Sequence, residues 1–70
     1  MSISRSEALE KIESQRMAIR EHIEKYNRYP NQIDKEFALK TIYRCQENIQ
    51  KIKDKCDCDL GYSYEDDWRP

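Results

Sequence analysis

Apolar residues in the first third of the chain fall at Leu9, Ile12, Ile19, Ile23 and Tyr26, with Arg16 holding the place between Ile12 and Ile19. Intervals of three and four residues put all of these on one stripe of a helix and leave the remaining faces to charged side chains. The start is marked by Ser4 and Glu7 in S-x-x-E capping spacing, with Ile3 placed to touch Ala8 as a hydrophobic staple. The predicted helix runs from about residue 4 to 26. Asn27-Arg28-Tyr29-Pro30 ends it, because Asn tolerates a left-handed backbone and Pro30 pushes Tyr29 out of the helical region.

A second stripe follows at Ala38, Ile42, Cys45, Ile49, Ile52 and Cys56, again at three- and four-residue intervals. Asn31 is placed to cap this helix, predicted over about 32–56, and Asp34 lies near its positive dipole end. A connection this short makes the two helices antiparallel neighbours. Glu7–Lys11, Glu21–Lys25, Glu24–Arg28, Glu36–Lys40 and Glu47–Lys51 read as supporting i,i+4 pairs. Phe37, Leu39 and Tyr43 widen the apolar face at the start of the second helix beyond what one partner helix covers.

The helical period stops at Cys56-Asp57-Cys58. From residue 59 the chain reads as an acidic, aromatic tail, broken from the helix by Gly61, with Leu60, Tyr62 and Tyr64 alternating as in an extended segment. The fold class is therefore all-α: residues 1–58 form a helical hairpin and residues 59–70 an extended tail. Two rods packed along one seam leave half of each seam wet, so pairing into a four-helix bundle is expected.

Seventy residues bound the chain to one domain, whose core alone rarely supplies more than roughly 3–5 kcal/mol. A binding partner, a homodimer or a higher homo-oligomer is expected to supplement it. No apolar run approaches the ~20 residues needed to span a bilayer, and the opening Met-Ser-Ile-Ser carries no targeting pattern, so the protein is expected to be soluble and cytoplasmic. Net charge is -1, but residues 1–55 hold twelve Lys/Arg against nine Asp/Glu, while residues 56–70 hold one against five. An acidic tail on a basic body either folds back onto it or steers toward a basic surface elsewhere.

Cys56-x-Cys58 with Asp57 and Asp59 has the right donor types for zinc but lacks the second ligand pair, so no metal and no cofactor are expected. Cys45 lies mid-seam, where buried cysteines are common, and nothing orients His22 to activate it. An enzyme is not expected. The cations of the second helix are interleaved with acids, which disfavours nucleic acid. Arg16, inside an apolar stripe, needs an acid, with Glu13 or Glu47 in reach, or must snorkel, or holds an anion. In the tail, Tyr62, Tyr64, Glu65, Asp66, Asp67 and Trp68 are the candidate partner-binding residues, aromatics supplying area and acids guiding docking to a basic surface. The same aromatics could instead cover Phe37, Leu39 and Tyr43, which makes Glu65, Asp66 and Asp67 the stronger contact candidates.

Ile12-Glu13-Ser14-Gln15-Arg16-Met17 with Cys45-Gln46-Glu47 resembles the small helical-hairpin phosphatases that act on sporulation response regulators, whose second helix carries Ser-Gln-Glu-Leu-Asp. Gln46 and Glu47 match that motif. Cys45 stands for the Ser, Asn48 for the Leu and Ile49 for the functional Asp, so the resemblance implies a non-catalytic hairpin. In size, and in Lys35-Glu36-Phe37-Ala38-Leu39, the chain also resembles phage hairpin proteins that oligomerise and sequester cyclic nucleotide signals of bacterial defence. That likeness implies a ligand sponge, with Arg16, Lys40 and Arg44 near phosphate. The leading expectation is a small non-enzymatic interaction protein of the phage or mobile-element type, inhibiting a host protein through hairpin and tail. The alternative is the anti-defence sponge for a phosphate-containing nucleotide.

Overall fold

The computed structural model describes residues 3–56 and 59–70. Helix α1 spans Arg5–Arg28 and helix α2 spans Gln32–Lys55, antiparallel and of equal length, and the tail carries a single 3-10 turn at Tyr64–Asp66. The molecule measures 42 × 16 × 15 Å, close to the ~36 Å expected of one 24-residue helix plus its loop. No helix among the described residues is long and apolar enough to cross a membrane.

Both helices begin where the capping residues stand. The Ser4 hydroxyl accepts a hydrogen bond from the Glu7 N–H at 3.2 Å, and the Asn31 side chain accepts from the Ile33 N–H at 2.7 Å. Each satisfies one of the donors that a helix start leaves unpaired. The end of α1 differs from expectation. Asn27 stays helical and no non-glycine residue described has a positive φ. Pro30 alone sets the stop, by holding Tyr29 at φ -69° and ψ 125°, so α1 continues to Arg28.

The core is one cluster built from Ala8, Ile12 and Ile19 of α1, Ile42, Cys45, Ile49 and Cys56 at α2, and Leu60 of the tail. Ile12, Ile19, Ile42 and Ile49 are its largest fully buried side chains. The two stripes do not form a single narrow seam. Ile12 and Ile19 are fully buried, whereas Arg16, about 60° round the helix from Ile19, turns to the tail. The chain's own tail thus covers the side of α1 on which Arg16 lies. Phe37 is not covered by it: it remains 62% exposed, beneath the Lys40 ammonium at 5.6 Å from its ring centre.

The tail is not extended throughout. The Asp59 carboxylate accepts from the Gly61 N–H at 2.9 Å, and Gly61 takes φ +75°, a left-handed conformation that turns the chain between Leu60 and Tyr62. Leu60 therefore points into the core while Tyr62 and Tyr64 point out, breaking the alternation read from sequence.

Face assignment on α2 predicts opposite outcomes for two apolar truncations. Ile42→Ala should cost about 2–5 kcal/mol, most of what a single small core supplies, and leave the chain largely unfolded. Phe37→Ala should move stability by only about 0.5 kcal/mol. Urea unfolding followed at 222 nm measures both.

Candidate functional site: the docked tail

Arg16 lies in the middle of an otherwise apolar face, and the tail brings it a carboxylate. Its Nε donates to Asp66 Oδ1 at 2.9 Å and its Nη2 to Oδ2 at 2.8 Å, a two-pronged pair whose side chains are only 11% and 7% exposed. This planar fork-to-carboxylate geometry is the strongest arrangement available to the two groups. Lys53 of α2 donates to Oδ2 of the same carboxylate at 3.1 Å, as does the Ser63 N–H at 3.2 Å. Asp66 thus ties α1, α2 and its own turn together. The expected partners of Arg16, Glu13 and Glu47, are not used by it; Glu13 instead meets Arg20 at 3.4 Å on the surface.

Glu65 is buried as well. Its carboxylate receives Arg20 Nε at 3.1 Å and the Ser63 hydroxyl, and its backbone carbonyl accepts from Gln46. Gln46 clamps the tail through both ends of its amide: its nitrogen donates to the carbonyls of Glu65 at 3.1 Å and Trp68 at 3.0 Å, and its oxygen accepts from Arg69 Nη1 at 2.6 Å. Every hydrogen bond this buried carboxamide makes goes to the tail. The Trp68 ring meets Tyr26 edge-on, with centroids 5.8 Å apart, and the Arg69 guanidinium covers the Tyr43 ring at 4.6 Å. Tyr26 is in turn faced by the Lys35 ammonium at 4.8 Å.

What the tail leaves outside is equally defined. Tyr62 is 70% exposed and Tyr64 52% exposed, and Asp67 is exposed beside them. The Tyr62 hydroxyl donates to Asp67 Oδ1 at 2.7 Å, which holds its phenol proton on and raises its pKa. The tail candidates therefore divide. Glu65, Asp66 and Trp68 face their own hairpin, and Tyr62, Tyr64 and Asp67 face solvent. Of the three acids that sequence favoured as contact groups, Asp67 alone stays outward, beside the two tyrosines.

The ligand candidates Arg16, Lys40 and Arg44 divide too. Arg16 is bonded to Asp66, while Lys40 and Arg44 lie about 120° and 160° around α2 from Gln46, on another face. Burial pushes the Cys45 thiol up, the reverse of an activated nucleophile, and the His22 Nδ1–H donates to the Ala18 carbonyl at 2.7 Å. No three His, Cys, Asp or Glu side chains among the described residues gather to hold a metal ion. Asp57 and Cys58 of the zinc candidate lie outside the described residues, and Cys56 is buried at the end of its stripe. Arg20, Lys53, Gln46 and Arg69 were not singled out from sequence as site residues. For the three cations the only signal was the charge imbalance between body and tail, which names a sign and not a residue, and Gln46 stood out only as a match to the phosphatase motif.

Docking should be pH-dependent. Burial pushes the Asp66 carboxyl up, but the hydrogen bonds from Arg16, Lys53 and the Ser63 N–H together outweigh it and hold the group below its ordinary range. A folded-state pKa below the unfolded one stabilises the docked state fully above the unfolded value, about 3.9. That contribution disappears as pH falls through the lower folded value. Trp68, the sole tryptophan, reports the event. Its emission should shift to the red in strong acid, and Asp66→Asn should show the shifted emission already at neutral pH, with helix content followed by circular dichroism. A Trp68 signal identical at neutral pH and in strong acid would contradict the docking.

Comparison of the chain with protein-family models, with curated proteins and with solved structures finds no match.

Proposed function

We propose that this chain is a small non-enzymatic interaction protein, in which the hairpin is a stiff mount and the docked tail presents Tyr62, Tyr64 and Asp67 to a protein partner with a basic surface. One observation carries this reading: in and just before the 3-10 turn, Glu65 and Asp66 face inward while Tyr62 and Tyr64 face outward. A tail kept only to complete the core would be expected to pack its large rings against the hairpin, as it does with the half-buried Trp68. Two neighbouring tyrosines held in the open on a turn fixed by buried ion pairs have the composition of a recognition hot spot. Because the turn is already ordered, little conformational freedom is lost on docking.

The chemistry favours arginine on the partner. Exposed tyrosine faces attract a guanidinium, and Asp67 beside them offers a carboxylate for the same group. Glu65 and Asp66 act in this scheme as anchors that aim the turn. Binding of this kind inhibits or redirects a partner by covering a patch of it. Self-association of hairpins, if it accompanies that role, has the face away from the tail available, where Ile33 and Phe37 are each 62% exposed one helical turn apart.

The test uses the full chain as bait beside a Tyr62→Ala/Tyr64→Ala variant, with the fold of each verified by circular dichroism. The expected result is a stoichiometric partner recovered by the parent chain and lost, or weakened at least about tenfold, in the variant, as removal of two hot-spot rings implies. Equal recovery by both, or no stoichiometric partner for the parent chain, would overturn the reading.

A further inference from the structure

The face of the hairpin opposite the tail carries a groove of about 340 Å³ between the first half of α1 and the second half of α2, lined by Lys11, Ser14, Gln15, Asn48, Lys51 and Lys55. Lys11 and Ser14 lie about 140° and 160° around α1 from Arg16, and Lys51 and Lys55 about 140° and 180° around α2 from Gln46, so this groove shares no side chain with the tail site. Both helices contribute cations to it, and no carboxylate lines it.

The ion pairs of the described residues sharpen the contrast. They join Arg16 and Lys53 to Asp66 and Arg20 to Glu13 and Glu65, all outside the groove. The pairs Glu7–Lys11 and Glu47–Lys51 suggested by sequence spacing are not among them, and Lys11, Lys51 and Lys55 make no ion pair with a described residue. The acidic tail thus neutralises one face of a basic body and leaves the cations of the other uncompensated. Several ammonium groups along one concave surface raise the local positive potential and draw in anions. Two carboxamides supply direction: Asn48 Nδ2 donates to Gln15 Oε1 at 3.4 Å, which leaves the Gln15 amide hydrogens for an acceptor in the groove. The half-buried Ile52 adds an apolar patch to the same lining.

We propose that this groove binds a diphosphate group, its oxygens held by Lys11, Lys51 and Lys55 and by the Gln15 carboxamide. Lysine suits the task as a mobile point charge that follows phosphate oxygens without a fixed geometry. The site stands apart from the tyrosine turn, and each can fail without the other.

Titration of the ¹⁵N-labelled full chain at low ionic strength tests it, with inorganic pyrophosphate in one arm and adenosine diphosphate in the other. Saturable shifts at Ser14, Gln15, Asn48 and Lys51 are expected. Lys51→Gln/Lys55→Gln should weaken binding about tenfold or more, as loss of charge-assisted hydrogen bonds implies, while Lys25→Gln, in the groove nearer the loop, should leave it unchanged. Tighter binding of the nucleotide, with shifts at Ile52, assigns the site to a diphosphate borne on an organic group, and equal affinity assigns it to the diphosphate alone. Non-saturable shifts scattered over Lys25 and Arg44 as well, or an affinity unaffected by the double substitution, would overturn the proposal.

Discussion

A guanidinium in the middle of an apolar helix face must find a counter-charge, since an unpaired buried ion costs several kcal/mol. Here the counter-charge comes from fifty residues along the chain. The two-pronged Arg16–Asp66 pair, with side chains 11% and 7% exposed, determines where the tail lies and which way each of its groups points. Once Asp66 is fixed, Glu65 reaches Arg20, the carbonyls of Glu65 and Trp68 come under the Gln46 amide, and the Trp68 ring meets Tyr26. The tail then contributes Leu60 to the core of a hairpin too small to be secure without it.

The same pair gives the molecule two unlike faces. On one, the acidic tail cancels Arg16, Arg20 and Lys53 and holds Tyr62 and Tyr64 outward. On the other, Lys11, Lys51 and Lys55 remain uncancelled along an open groove. A net charge near zero therefore conceals a separation across the width of the hairpin, about 15 Å, which exceeds the roughly 8 Å screening length of physiological salt. The charges of the two faces are therefore largely screened from one another.

The hairpin was legible from the chain because its signals are local. Three- and four-residue apolar spacing, Ser4, Asn31 and Pro30 each act within a turn or two of helix, and the helices begin where those residues stand. A local misreading, at Asn27, came from assigning to a tolerant residue a stop that Pro30 alone imposes. Arg16 was legible as a residue in need of an acid, but the acid was not, because Glu13 and Glu47 are near in the helical pattern and Asp66 is near only after the tail turns. That turn rests on Gly61 at φ +75° and on the Ser63–Asp66 hydrogen bonds, which no periodicity encodes. Gln46 was visible as a match to a phosphatase motif, whereas its observed role is to clamp two backbone carbonyls. Composition marked the tail as acidic and aromatic without showing which of the two properties faces out.

Docking of the tail depends on energetic coupling between Arg16 and Asp66, and a double-mutant cycle measures it directly. Arg16→Met, Asp66→Ala and the double variant, compared with the parent chain by urea unfolding at neutral pH, give the interaction free energy of the pair. A largely buried, two-pronged ion pair predicts a coupling of about 2–3 kcal/mol, with the double variant less impaired than the sum of the single ones. A coupling within error of zero would mean that the tail is held by something else, and the central claim would be wrong.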